Sequence, residues 1–174
     1  IEHPERVERV VVSTLPAGRP PPRKPSDAMR AAAVEVKAQA PFQPRAFWDV
    51  FLHDIMANDA VIDDALVDRY FELNNRRGAK AWVDAYIDTQ YRLWDTLDVK
   101  EKFGRLRRPI LLQWGADGVV LPEQIGHDVA DLLRAAPVTL RQYRNAGHLP
   151  MIEQPEATAR DALAFLRGTT LVSN

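Results

Sequence analysis

Two short apolar segments joined by an amphipathic helix constrain the fold more than any other part of the sequence. Residues 109–114 and 138–143 each have the length and the apolar content of a β-strand. The apolar side chains between them recur at helical spacing, at Ile125, Val129, Leu132 and Leu133. A strand, a helix and a strand of these lengths form a right-handed crossover between parallel strands. The sequence therefore predicts an α/β fold with a parallel sheet.

An ionisable side chain follows each of the two predicted strands. Asp117 follows the first strand, and His148 follows the second, within the string Asn145-Ala146-Gly147-His148. Catalytic groups collect beyond the carboxyl ends of parallel strands, and neighbouring strands lie only ~4.8 Å apart. We therefore expect the Asp117 carboxylate and the His148 imidazole to form a hydrogen bond. Because an imidazole titrates near neutral pH, His148 is a candidate general base.

The strings around these residues resemble a known family. Trp114-Gly115-x-Asp117 and Gly147-His148-Leu149-Pro150, with the Pro155-Glu156 pair that follows, are similar to the last third of the α/β-hydrolase fold. Residues 1–12 resemble the end of the helix behind the nucleophile and the next strand of that family. The resemblance implies a mostly parallel, doubly wound sheet with an inserted helical cap. It also implies a catalytic triad with His148 as base and Asp117 as acid.

The loop that carries Asp117 departs from the family pattern by one residue. Counted from Gly115 and Pro122, the acid position of the family falls on Gly118, which has no carboxylate. Counted from the run of residues 117–120, it falls on Asp117. The strand that ends at Leu15 offers no carboxylate in its place. Three alternatives stay open: Asp117 is the acid, the acid lies outside these residues, or the site is degenerate.

The nucleophile of the family, in a Gly-x-Ser-x-Gly elbow, does not occur in this sequence. Family spacing places it upstream of Ile1, so we expect a fragment, or one chain of a cleaved protein. A missing N-terminal segment or a companion chain would then carry the nucleophile. We favour acyl-enzyme hydrolysis of a small, fairly apolar, ester-like substrate. The alternatives are an epoxide hydrolase, a dehalogenase or a C–C bond hydrolase of the same fold, or a non-catalytic homologue that acts in binding.

The order of strand and helix signals divides the chain into three parts. Residues 1–25 predict a strand at 7–15, buried on both faces, and a proline-rich connector. Residues 26–105 predict four helices without strands, which is what the resemblance implies for a cap; Ser26 is a helix-capping residue. Residues 106–174 return to the core and carry the acid and the histidine. We expect Glu153 to stabilise the N-terminus of the helix that follows it.

Aromatic side chains are concentrated in the predicted cap. Packing between the cap helices and the core accounts for most of them. We expect a few to line a substrate pocket, and the candidates for contacting substrate are Trp48, Phe51, Tyr86 and Leu149. In some branches of the family, cap tyrosines polarise an epoxide. The positions that match this role are Tyr70, Tyr86 and Tyr91.

Composition and charge exclude several classes of function. The net charge of −1 and the pI near 6.5 give no electrostatic basis for binding nucleic acid or an anionic membrane. No apolar run approaches the ~20 residues that span a bilayer. With no cysteine, and with His3, His53 and His127 lacking partners at metal-ligand spacing, we expect no metal and no cofactor. A small-molecule substrate and a cytoplasmic location are the expectations that remain.

Overall fold

A parallel sheet of three strands organises the part of the chain that the structure describes. The structure is a computed structural model, and it describes residues 2–16, 18–19, 22–39, 42–96 and 98–171. The strands are β1 (Val10–Ser13), β2 (Ile110–Gly115) and β3 (Val138–Tyr143), in the order β1-β2-β3. Both pairings are parallel, and the register aligns Ile110 with Val10 on one side and with Val138 on the other. The predicted parallel α/β fold is confirmed.

Helices fill most of the remaining described chain. Between β1 and β2 lie α1 (Asp27–Gln39), α2 (Arg45–Ile55), α3 (Asp64–Asn74), α4 (Ala79–Thr96) and α5 (Val99–Gly104). After β2 come α6 (Glu123–Leu132), α7 (Pro150–Glu153) and α8 (Pro155–Leu166), and short 3-10 turns occupy Pro4–Arg6 and Asp59–Val61. Within the described ranges, no helix is long and apolar enough to cross a membrane.

One face of the sheet packs against α6. Alternate side chains of β2 point to the same face, and Ile110, Leu112 and Trp114 form a buried cluster with Val129 and Leu133. The Trp114 indole N–H donates a 3.0 Å hydrogen bond to a backbone carbonyl of the β2–α6 connection, so its polar atom is satisfied inside the apolar cluster.

The opposite face packs against α8 through buried polar groups. Gln113 Nε2 donates to the Thr158 carbonyl at 2.7 Å and to the Tyr143 hydroxyl at 3.0 Å. The Tyr143 hydroxyl donates to Asp161 Oδ2 at 3.1 Å, and Arg141 Nε donates to the same oxygen at 3.0 Å. Because an unpaired buried polar group is costly, this network fixes α8 on the sheet. Helices therefore cover both faces, as in a doubly wound fold.

The strand predicted at residues 7–15 is shorter and more exposed than expected. Only Val10–Ser13 pair with β2, and all of these residues are half-buried, so the prediction of burial on both faces is wrong. In the described chain β1 lies at the edge of the sheet, where a β-branched run lacks a neighbour on one side. Thr14 then adopts a left-handed backbone with φ 47°, which ends the strand. In the predicted connector, Ala17, Pro20 and Pro21 lie outside the described residues.

The segment at residues 26–105 contains helices joined by short loops, and its described residues include no strand. Ser26 Oγ accepts the Met29 N–H at 3.0 Å, and Asp63 Oδ1 accepts the Leu66 N–H at 2.8 Å, so both act as N-caps. Helix α5, whose N-cap is Asp98, was not among the four helices predicted from the sequence. A second apolar cluster forms between α2, the residue that follows it, and α3. Its buried residues are Trp48, Leu52, Ile55, Met56 and Val67, and it includes the partly buried Phe51, Tyr70 and Leu149 that pack against them. The role of this segment as a cap stays a prediction.

Candidate active site

The loops that follow β2 and β3 lie side by side at the carboxyl edge of the sheet. Asp117 N donates to the Ala146 carbonyl at 3.0 Å, beyond the last β2–β3 pair of Gly115 and Tyr143. A Cβ added at Gly115 would overlap the backbone of Ala146 and Gly147, so only glycine allows this approach. The sheet thus brings the two loops together, as the topology predicts.

The Asp117 carboxylate does not contact the His148 imidazole. Asp117 is exposed, and its Oδ2 accepts the backbone N–H of Asn145 at 2.7 Å. Asn145 has a left-handed backbone with φ 53°, which presents that N–H to the β2 loop. In the described chain, Asp117 and His148 share neither a hydrogen bond nor an ion pair, so the expected bond between them is absent. The catalytic roles of both residues stay predictions.

The backbone of His148 is bonded on both sides. His148 N donates to the Ile55 carbonyl at the end of α2 at 3.0 Å, and the Thr14 hydroxyl donates to the His148 carbonyl at 3.1 Å. The imidazole is partly buried, and its Nδ1 is fully buried with no hydrogen-bond partner among the described residues. The His148 loop is therefore fixed to two other parts of the chain, while Nδ1 of the ring has no partner among the described residues.

Three influences set the pKa of His148. Burial, which disfavours the charged form, lowers the pKa, and the nearby Arg23 guanidinium lowers it further. The Glu153 carboxylate acts in the opposite direction and raises it, but the pKa stays below the ordinary value of 6.5. Arg23 is itself paired with Asp54, whose side chain is almost fully buried, at 2.5 Å. The net result favours the neutral form of the imidazole, which is the form that a general base needs.

Glu153 is a buried carboxylate at the centre of this region. Its side chain accepts the backbone N–H groups of Gly147, Leu149, Ala57 and Asn58, although the residue is only 2% exposed. The expectation that it stabilises the N-terminus of α8 is wrong, because its hydrogen bonds go to the His148 loop and to the loop after α2. Half of these donors lie about 95 residues away in the chain, and no local sequence signal indicates them.

The four residues named as substrate contacts separate into two groups. Trp48, Phe51 and Leu149 all belong to the second apolar cluster. The indole Nε1 of Trp48 is buried and has no partner in the described chain. Tyr86 lies apart on α4, where it is 52% exposed and stacks on Trp82 with ring centroids 5.6 Å apart. The structure therefore brings three of the four candidates into one apolar cluster, which includes the residue after His148, and leaves Tyr86 elsewhere.

The tyrosines named for polarising a substrate also differ in position. Tyr70 lies in the second apolar cluster, with its ring 6.1 Å from that of Trp48, and burial raises its pKa. Tyr91 lies on α4 beneath the Arg19 guanidinium, 4.7 Å from its ring centroid. Of the three tyrosines, Tyr70 is the one that packs in the same apolar cluster as Leu149. Among the described residues, no group of three or more histidine, aspartate and glutamate side chains is arranged to hold a metal ion.

Solved structures with a similar backbone exist, although no family model and no curated protein matches the sequence. Cfl2 from Burkholderia cenocepacia is 25% identical with a TM-score of 0.65, over 94% of this chain and 58% of that one. A meta-cleavage product hydrolase from Pseudomonas fluorescens IP01 is 18% identical with a TM-score of 0.71, over 96% and 58%. A bacterial membrane phospholipase A is 24% identical with a TM-score of 0.66, over 95% and 51%. The chain thus spans little more than half the length of these proteins.

Proposed function

The chain has the α/β-hydrolase fold, and on that premise we propose that it acts in a hydrolase whose general base is His148. The observation that carries the proposal is the state of this residue. Its backbone is fixed by hydrogen bonds to Ile55 and Thr14, its Nδ1 is buried without a partner among the described residues, and burial lowers the pKa of its imidazole. A neutral imidazole fixed at the carboxyl edge of a parallel sheet is suited to accept a proton from a nucleophile.

The proposed reaction is acyl transfer through a covalent intermediate. A nucleophilic hydroxyl attacks the ester carbonyl carbon, and His148 accepts the hydroxyl proton. His148 then donates that proton to the leaving alcohol as the ester bond breaks. A water molecule, deprotonated by His148, hydrolyses the acyl-enzyme and regenerates the hydroxyl. We propose that the nucleophile comes from a segment that precedes Ile1 or from a companion chain.

A small, fairly apolar substrate is supported by the apolar cluster that includes the residue after His148. Trp48, Phe51 and Leu149 belong to one apolar cluster, and Leu149 directly follows the proposed base. Such a surface binds the acyl or alkyl part of an ester by burying apolar area, at about 25 cal/mol per Å². Helices α2 and α3 would then form one wall of the substrate site, as a cap does.

Asp117 is the proposed acid of the triad. It lies in the loop beside His148, and the unpaired Nδ1 is the atom that a triad carboxylate bonds. For this pairing, the Asp117 carboxylate must exchange the N–H of Asn145 for the imidazole. Because a triad without its orienting acid loses about 10⁴-fold in turnover, D117N measures whether that exchange occurs in the working enzyme.

The test uses the full-length protein that contains these residues and a p-nitrophenyl ester as substrate. H148N should lower kcat by on the order of 10⁴-fold or more and abolish covalent labelling by a fluorophosphonate probe. The matched control is H127N, because His127 is an exposed histidine on α6, and it should leave both unchanged. Turnover by H148N at the wild-type rate would rule out the proposed base.

A non-catalytic homologue that acts in binding is the second candidate. The observation in its favour is that Asp117 bonds Asn145, while Nδ1 of His148 has no partner within the part of the chain that the structure describes. It requires that the full-length wild-type protein neither hydrolyses p-nitrophenyl esters nor reacts with the fluorophosphonate. The residues that precede Ile1 discriminate further: Gly-x-Ser-x-Gly favours ester hydrolysis, and Gly-x-Asp-x-Gly favours a dehalogenase or an epoxide hydrolase.

A further inference from the structure

We propose that Glu153 is a positioning residue for His148, and that its carboxylate holds the His148 loop against the loop that follows α2. The inference rests on the proposed function, because it concerns how the proposed base is placed. Glu153 does not touch the reacting atoms. Its side chain bonds the backbone on both sides of His148 and, through Oε2, the backbone beyond the end of α2.

The geometry of the carboxylate assigns this role. Oε1 accepts the N–H groups of Gly147 at 2.8 Å and Leu149 at 3.1 Å, which are the residues immediately before and after His148. Oε2 accepts the N–H groups of Ala57 at 2.7 Å and Asn58 at 3.0 Å. Because the four donors belong to two loops, the carboxylate can satisfy them all only while the loops keep their present separation.

Two further contacts make His148 part of the same unit. The N–H of His148 itself donates to the Ile55 carbonyl, two residues before Ala57. The backbone of Gly147 lies so close to the end of α2 that a Cβ there would approach the Ile55 carbonyl oxygen to 2.8 Å. A shift of the loop after α2 would therefore move the carboxylate, its donors and the backbone of His148 together.

The negative charge of Glu153 also acts on the imidazole. In the described chain no cationic side chain pairs with this carboxylate, so its charge is balanced only by backbone N–H dipoles. The charged groups that face His148 are Glu153, which raises its pKa, and Arg23, paired with Asp54, which lowers it. Removal of the Glu153 charge should therefore lower the pKa of His148.

E153Q tests the proposal in the full-length protein. Glutamine has the same size, but its NH₂ group faces the N–H donors and its charge is lost. Misplacement of a catalytic group by about 1 Å costs on the order of 10²-fold, so kcat should fall by that factor while KM changes less than threefold. The acid limb of the kcat/KM profile should shift to lower pH, because the pKa of the base falls. E153D, which keeps the charge, should retain the wild-type limb.

D161N is the matched control, since Asp161 is another buried carboxylate and its partners include Arg141 and Tyr143. It should be destabilised as E153Q is, yet keep kcat per folded molecule within threefold and keep the acid limb. Equal losses of kcat in D161N and E153Q would overturn the proposal, because they would show a general structural effect.

An NMR titration separates this proposal from the proposed function. In E153Q the imidazole of His148 should titrate at lower pH than in the wild type, and the amides of Gly147 and Leu149 should exchange faster. This result supports the positioning role even if H148N retains activity, in which case only the proposed function fails. Unchanged titration and exchange would overturn the role of Glu153. If E153Q does not fold, E153D gives the same test through the amides, which its shorter side chain cannot reach.

Discussion

Replacing Gly147 by alanine should separate the His148 loop from the end of α2. A Cβ at this position would lie 2.8 Å from the Ile55 carbonyl oxygen, 2.9 Å from Ala57 N and 3.1 Å from the Met56 carbonyl carbon. All three are backbone atoms, which cannot rotate away as the end of a flexible side chain can. An ordinary contact begins near 3.4 Å, so the loops must move apart by about 0.5 Å.

The cost of this movement can be estimated from its parts. Forcing an extra methyl group into a packed site costs about 1–3 kcal/mol. The movement also lengthens the bond from His148 N to the Ile55 carbonyl, and a hydrogen bond of this kind contributes about 1 kcal/mol. The free energy of unfolding should therefore fall by about 2–4 kcal/mol.

Urea denaturation measures this difference, and Gly104 provides the matched control. Gly104 ends α5, and a Cβ there would meet no atom within 4 Å. G104A should be as stable as the wild type or more stable by up to about 1 kcal/mol, because alanine has the higher helix propensity. If G147A unfolds at the same urea concentration as G104A, the close approach of the two backbones is not a feature of the folded protein.

Two further predictions concern titration. R23Q should raise the pKa of His148 by removing a nearby positive charge, so the acid limb of the kcat/KM profile should move to higher pH; an unmoved limb would mean that Arg23 does not act on the base. Burial raises the pKa of Tyr143 to about 12. The negative charge of Asp161 acts in the same direction, and the hydrogen bond with Gln113 acts in the opposite one. The folded pKa thus exceeds the unfolded value of about 10, so the stability that the neutral hydroxyl provides is complete below pH ~10 and is lost towards pH 12. Y143F should lower the free energy of unfolding by about 1–3 kcal/mol at pH 7 and should remove the loss of stability at alkaline pH. Urea denaturation at pH 7 and pH 11 measures both effects. If Y143F loses as much stability at pH 11 as the wild type does, another group causes the loss.

Local signals predicted much of the fold. Strand β3 has the predicted bounds, because a short apolar run after Pro137 specifies a strand whatever its neighbours are. Ser26 and Asp63 cap helices as predicted, since capping needs only the next few residues of the chain. The meeting of the loops after β2 and β3 followed from parallel topology alone.

The features that were missed depend on residues far apart in the sequence. The burial of β1 depends on which strands lie beside it, and its own β-branched residues carry no information about that. Tyr86 has the helical spacing of a packed residue, but in the described chain α4 packs mainly against α3, and Tyr86 faces outward. The direction of the Asp117 side chain depends on the backbone of Asn145, which a loop length cannot specify.

The segment from Gly147 to Glu153 joins both kinds of information. Pro150 begins the short helix α7, whose single turn brings the Glu153 carboxylate back to the N–H groups of Gly147 and Leu149, so this part of the site is local. The same carboxylate accepts two N–H groups after α2, which only the folded chain supplies. Glycine at 147 permits the approach, and glutamate at 153 stabilises it. The string that resembles the α/β-hydrolase family therefore has a physical role, which is to hold the backbone of His148 against the loop after α2. A change at Gly147 or at Glu153 should act on His148 through the backbone that joins the two residues.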